Sequence, residues 1–336
     1  LFAVRAPMLK SGSLFKPISR EGALVFNNLF LSTAAATVLI GTLYPLFMEA
    51  VSGAKISVGA PFFDMTFGPL MVPLLAMVPI GPLLSWKRSD FYPAMQRLFI
   101  VFGLAILAVA VSLAVTRGAE VLAALGIGLS VWVMLGAFAE IATRSGFRKA
   151  GFATGIRRMA GLPRSMWGTA LGHFGLGMTL LGIVMVTAYQ GEAVREVGPG
   201  DHVEIAGYEL VFNGLTPFSG PNFNADVASI DVRRGGVSRF EMHPAKRIYT
   251  TRGMPTTESA IKTIGFSQLY LALGDKSPDG KIVLRAWWKP LITLIWLGGV
   301  MMMIGGGISL MDRRLRVGAA RSSAAQRRKE VSDASA

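Results

Sequence analysis

A chain of 336 residues that is 52% hydrophobic and only 16% charged departs from soluble globular domains, which carry about a quarter charged residues. It has no cysteine, which excludes a disulfide scaffold and any cysteine-ligated zinc or iron–sulfur centre. A formal net charge of +14 suits either nucleic-acid binding or a membrane protein with a basic cytoplasmic side, and the hydropathy favours the second.

Leu1–Gly22 begins without Met and lacks the n-region and h-region of a signal peptide. It reads as the end of a preceding element, so the chain is expected to be the C-terminal part of a longer protein or one half of a split one. Six apolar stretches then meet the roughly 17–25 residues a bilayer-spanning helix needs: Ala23–Phe47, Phe67–Trp86, Leu98–Val115, Val121–Thr143, Trp167–Ala188 and Leu291–Met311. Asn27 and Asn28 open the first span and are expected to hydrogen-bond neighbouring helices. Pro69, Pro73, Pro79 and Pro82 predict a kinked or broken second span. Glu140 lies near the end of the fourth, four residues before Arg144, an ion-pair spacing. Trp86, Trp167, Trp287 and Trp288 sit at span ends, where aromatic belts form. The seventeen methionines, Met301–Met303 among them, read as packing in apolar helices.

Residues 189–290 differ in character. Val203 and Ile205, then Tyr208, Leu210 and Phe212, alternate with polar neighbours across Ala206-Gly207, a hairpin pattern. Asp226–Arg233 and Val237–Met242 flank a second turn, and Ser267–Leu273 and Lys281–Trp288 a third. Thr256–Thr263 is expected to form one or two helical turns. At least six short antiparallel strands predict a small barrel or sandwich. His202 and His243 read as surface or turn histidines, Trp287-Trp288 as the interfacial anchor of the last helix, and the tail from Val317 as disordered.

The predicted fold class is therefore an α-helical multi-span membrane protein with an inserted extracytoplasmic all-β domain. Its parts are a cytoplasmic segment (1–22), five transmembrane helices (23–188), a β domain (189–290), a last transmembrane helix (291–311) and a basic cytoplasmic tail (312–336). The orientation follows from Lys and Arg. The loop before Trp167 holds Arg144, Arg148, Lys149, Arg157, Arg158 and Arg164, and the tail holds seven more. Both belong in the cytoplasm by the positive-inside rule. Alternating spans place Arg5, Lys10, Lys16, Arg20, Lys87, Arg88 and Arg97 on the same side, which then carries twenty basic against six acidic residues. The opposite side carries fourteen of each, so the +14 is an orientation signal and no nucleic-acid partner is expected.

His173, in Gly172-His173-Phe174-Gly175-Leu176-Gly177, is the most informative polar residue inside a span. It lies six residues in from Trp167, roughly 9 Å below the interface at 1.5 Å per residue. Ionisable groups at such depth are costly and commonly functional. One reading is a histidine hydrogen-bonded to a neighbouring helix. Another is an axial haem ligand, with Gly172 and Gly175 letting a flat macrocycle approach the backbone. A single histidine does not separate haem ligation from a proton relay. The chain carries no Walker A, HExxH or GxSxG motif, and no GxGxxG in a strand–helix context.

Several strings resemble the cytochrome c maturation protein F (CcmF) family. They are Ser19-Arg20-Glu21-Gly22-Ala23 with Asn27-Asn28, Gly41–Pro45 with Glu49, and Lys55-Ile56-Ser57-Val58-Gly59 with Pro61 and Phe62. Gly172-His173, Gly207-Tyr208, Gly220-Pro221-Asn222, Pro244 with Lys246-Arg247 and Tyr249, Thr257-Glu258, Leu269–Gly274, Gly305-Gly306 and Asp312-Arg313-Arg314 follow in order. The resemblance covers nearly the whole chain. It implies a bacterial inner-membrane haem lyase that attaches haem to apocytochrome c outside the cytoplasmic membrane, works with other cytochrome c maturation subunits, and has a periplasmic β domain and a cytoplasmic C-terminus. It also implies a transmembrane haem b held between two histidines, of which His173 matches the second, with its iron as the metal. The family's WWD haem platform, its two flanking histidines and the first transmembrane histidine are not in this sequence. Trp287-Trp288-Lys289 lacks the Asp and the surrounding pattern. The missing parts are expected upstream, in the other half of the lyase. The competing reading is a non-enzymatic membrane transport or scaffold protein whose β domain binds an extracytoplasmic partner and whose His173 is structural.

Overall fold

The computed structural model describes residues 17–85, 91–147, 151–251 and 253–312. Trp86, Lys87, Arg88, Arg148, Lys149, the segment before Pro17 and the tail from Arg313 lie outside the described residues. Six described spans are long and apolar enough to cross a membrane: Arg20–Ser52, Ala60–Leu83, Phe91–Val115, Val121–Ser145, Arg164–Tyr189 and Thr293–Leu310. They turn apolar side chains outward, Phe99, Val115 and Leu122 being 74%, 78% and 85% exposed, as lipid-facing helices do.

Local chemistry sets the helix limits. Helix α1 (Arg20–Ser52) starts where the Ser19 hydroxyl accepts from the Gly22 N–H at 3.1 Å and stops at Gly53, whose φ of 68° is left-handed. Its 33 residues span about 50 Å, more than the roughly 30 Å hydrocarbon core requires. Helix α2 (Ala60–Met77) has proline in its first turn and keeps Pro69 and Pro73 inside, then gives way to a turn and a 3-10 segment at Gly81–Leu83, around Pro79 and Pro82. The expected break in this span is present. Helix α3 is Phe91–Val115. The next span is also interrupted: α4 (Val121–Gly136) and α5 (Ala139–Ser145) flank a turn at Ala137-Phe138. Helices α6 (Phe152–Ala160), α7 (Arg164–Tyr189) and α8 (Thr293–Leu310) follow among the described residues.

The chain divides into two compact units, one of residues 1–115, 127–177 and 300–336, the other of 116–126 and 178–299. In the first, small residues let helix backbones touch, as they do in membrane bundles. A Cβ on Gly168 would lie 2.5 Å from the Gly305 carbonyl oxygen and 2.7 Å from the Ser309 nitrogen, and one on Gly305 would meet Gly168 and Gly172 as closely. Gly177 abuts Met134 and the Ser130 carbonyl in the same way. The buried Asp312 carboxylate accepts from the Ser165 N–H at 3.0 Å, capping α7 from beyond the end of α8.

The second unit contains ten strands in two antiparallel sheets. One has the order β1 (Gly191–Val197), β10 (Ile282–Lys289), β9 (Ser267–Lys276), β8 (Ala260–Ile264). The other has β2 (His202–Ile205), β3 (Tyr208–Ser219), β4 (Phe223–Arg234), β6 (Ala245–Tyr249), β7 (Pro255–Glu258), with β5 (Val237–Met242) on the far half of β4. The β2–β3 turn works because Ala206 and Gly207 both adopt positive φ, 51° and 76°, the primed-turn geometry of a two-residue hairpin. Leu210, Ile230, Val232, Leu269, Leu271 and Leu284 are fully buried between the sheets.

One expectation fails here. Residues 256–263 are not helical: they complete β7 and form β8, in two different sheets. Thr256 pairs with Arg247, and Ile261 with Tyr270, so cross-strand partners outweigh the local helical signal. Trp287 and Trp288 lie in the strand expected over Lys281–Trp288. They end β10, where Trp288 stacks on Tyr208 with ring centroids 5.6 Å apart and Trp287 meets Tyr270 edge-on at 5.2 Å.

Candidate functional site

The first two turns of α1 repeat at helical spacing. Arg20, Ala23, Leu24 and Asn27 fall on one face, and this face looks into a cavity of about 250 Å³. The opposite wall is the end of α2 and the 3-10 segment, through Leu74, Met77, Val78, Gly81 and Pro82, and α7 contributes His173. The Arg20 N–H donates to the Ser85 carbonyl at 3.1 Å, tying the start of α1 to the strand-like exit of the second span. Gly22 is required for this entry: a Cβ there would lie 2.8 Å from the Pro17 carbonyl carbon and closer still to its oxygen. The family-like string at residues 19–23 therefore has a mechanical reason, which is to start α1 against the second span beside His173.

His173 also lines a second, water-sized cavity of about 10 Å³ with Pro79, Gly136, Glu140, Met166, Thr169 and Ala170, among others. Helix packing sets this side. Gly136 abuts Pro79, whose Cγ would lie 2.6 Å from an added Cβ, and Phe138 rests on Phe174 with centroids 5.6 Å apart. The turn at Ala137-Phe138 then delivers Glu140 toward α7. Arg144 donates to Glu140 Oε1 from Nε at 3.1 Å and Nη2 at 3.0 Å, the i+4 pair expected from spacing.

Among the described residues, Asn27 and Asn28 make no hydrogen bond to a neighbouring helix, contrary to expectation. The Asn27 amide points to the adjacent Asn28 carbonyl oxygen at a long 3.5 Å, and its place is the cavity wall. Of the glycines singled out, Gly175 is buried in α7, and the backbone of Gly172 is approached by Gly305, while a Cβ on Gly172 itself would meet open space. His202 is exposed on β2. His243, also exposed, lies 3.7 Å from Glu241 at the β5–β6 junction. Neither shares a site with His173. No group of three or more His, Cys, Asp or Glu is placed for metal binding among the described residues.

The cavity is lined by one histidine, Arg20, Asn27 and otherwise largely apolar residues. At about 250 Å³ it is slightly smaller than typical small-molecule pockets of roughly 300–1,000 Å³, so a haem held by His173 would reach past these walls. Sequence reasoning found His173 and missed Arg20, Asn27 and the 74–82 wall as its companions. The signal available was the 20, 23, 24, 27 spacing.

A family profile described as "CcmF C-terminal beta-sandwich" matches residues 188–290. The Rhizobium meliloti cytochrome c-type biogenesis protein CycK is 56% identical over 319 residues, covering 95% of this chain and 47% of that protein. The Pseudomonas aeruginosa cytochrome c-type biogenesis protein CcmF is 40% identical over 319 residues, covering 94% and 48%. The solved structure of "Cytochrome c Heme Lyase CcmF" superposes with a TM-score of 0.68 over 88% of this chain and 46% of that one, at 23% identity, a likeness of fold. The chain spans about half the length of the curated relatives it matches. On this agreement of sequence, β-sandwich and helical spans, the chain belongs to the CcmF/CycK family of cytochrome c-type biogenesis proteins.

Proposed function

We propose that this chain is the haem-holding membrane part of a cytochrome c haem lyase, with His173 as an axial ligand of a haem b. The observation that carries the reading is the place of His173: the one histidine within a membrane span lines a cavity with apolar walls and an arginine. In the bound state the haem iron supplies a one-electron couple. The chain's own residues do the positioning. Leu24, Phe26, Leu74 and Met77 exclude water, and α7 holds the imidazole by packing on α8 through Gly168 and Gly305. A second ligand to the iron would have to come from residues outside this sequence.

The likeness to proteins named for cytochrome c biogenesis supports apocytochrome c as the client and other maturation subunits as partners. The charge asymmetry supports a bacterial inner-membrane orientation with the sandwich periplasmic and the C-terminus cytoplasmic. A protease site placed in the turn at 277–280 is then cut from the periplasmic side, and cleavage from the cytoplasm alone overturns the orientation.

The test of the haem reading is the reduced-minus-oxidised optical spectrum of the membrane-purified protein, assembled with its partners. His173→Ala should remove the b-type signal and stop cytochrome c maturation. An unchanged spectrum refutes the ligand assignment.

A further inference from the structure

The small cavity on the far side of His173 carries an inference that deepens the haem reading and rests on it. Glu140 is an acidic side chain inside an apolar span, 17% exposed and held by Arg144. Both arginine contacts go to one carboxylate oxygen, Oε1. Glu140 and His173 line the same cavity of about 10 Å³. A cavity of this size is about the least that accommodates one water, which needs two to four polar partners. Glu140, His173 and the Thr169 hydroxyl, which itself donates to the Ser165 carbonyl at 2.9 Å, supply them.

We propose that Glu140 is the positioning residue of His173. One water in the small cavity bridges its carboxylate to an imidazole N–H, fixing the ring in a single tautomer with its other nitrogen directed to the large cavity. Metal-ligating histidines ordinarily donate their second N–H to a carboxylate, carbonyl or water, which sets ring orientation and raises ligand basicity. The interruption of the fourth span serves this arrangement. The turn at Ala137-Phe138 carries Glu140 to the cavity, and Arg144, one helical turn on, restrains it. An ion pair whose only task was to satisfy a charge at a span end would not need to share a cavity with the histidine.

The chain has only three histidines, which makes the test direct. The full chain is labelled with ¹⁵N-histidine and placed in lipid nanodiscs without haem. Variants His202→Gln and His243→Gln identify the remaining imidazole as His173. Nitrogen shifts of one neutral tautomer are expected in the wild type, and averaged shifts of two exchanging tautomers in Glu140→Gln. A tautomer mixture in the wild type, or shifts unmoved by Glu140→Gln, overturns the proposal without any variant having to bind haem. In the haem-loaded protein, loss of the carboxylate weakens the oxidised relative to the reduced state about tenfold, raising the midpoint potential by about 59 mV for a one-electron couple. The two readings fail separately. If His173→Ala keeps its haem spectrum, the haem assignment falls while the tautomer result stands. If haem is lost in His173→Ala but neither tautomer nor potential moves in Glu140→Gln, only the role of Glu140 falls.

Discussion

Replacing Gly305 by Ala adds one methyl where two helix backbones meet. That carbon would lie 2.5 Å from the Gly168 carbonyl oxygen and 2.7 Å from the Gly172 nitrogen, well inside ordinary contact at 3.4–4 Å. Both obstacles are backbone, so no side chain can swing away and α7 and α8 must separate. Overpacking of this kind costs about 1–3 kcal/mol, against which Ala recovers at most about 1 kcal/mol of helix propensity relative to Gly. The neighbouring Gly306 is the internal control, because a Cβ there meets nothing within 4 Å. Gly306→Ala should therefore raise the thermal midpoint of the detergent-solubilised chain slightly, and Gly305→Ala should lower it by several degrees. Since α7 carries His173, Gly305→Ala should also lower the haem retained on purification. Equal melting of the two variants refutes the packing argument.

Other outcomes follow from particular contacts. Asp231 is buried, and the Ser238 hydroxyl and then the Arg233 guanidinium, each at 2.6 Å, hold its carboxyl below the usual carboxylate range. Its stabilising contribution is thus fully present above the unfolded value near pH 4 and is lost as pH falls through the lower folded value. Asp231→Ala should cost on the order of 1 kcal/mol at neutral pH and flatten this acid limb in thermal melts at stepped pH. Asp275 is likewise held below the carboxylate range by the hydrogen bond and charge of Lys246, so Lys246→Met should return its titration, followed by carboxyl NMR, toward the ordinary value. Asp312→Ala removes the cap on Ser165 and should destabilise α7 by about 0.5–2 kcal/mol, read as faster hydrogen exchange at residues 164–168.

Much of the architecture was legible from residue order alone. Spanning length and hydropathy are properties of a contiguous segment, and hairpins with Ala206-Gly207 or Gly235-Gly236 at the turn declare themselves through alternation and positive φ. A lone histidine in an apolar span is conspicuous for the same reason, and the Glu140–Arg144 pair is a matter of helical spacing. What escaped was whatever depends on residues far apart in the chain. Thr256–Thr263 is the exception: its strand partners, 245–247 and 268–271, flank it closely, and a two-residue turn at Gly265-Phe266, with Gly265 at φ 61°, carries β8 into β9.

Taken by itself, the sequence determined a membrane protein with six apolar spans, a β-rich insert, a basic excess of charge, and one histidine set apart from the rest. These depend on transfer of contiguous apolar segments out of water and on the local backbone preferences of turns. Only the tertiary structure brought Arg20 and Asn27 from the first span, residues 74–82 from the second and Glu140 from the fourth to the two sides of His173. The physical reason is that a cavity belongs to several helices at once. Its walls are set by how closely glycine-lined backbones such as Gly168 and Gly305 approach, and no periodicity within a single helix records that.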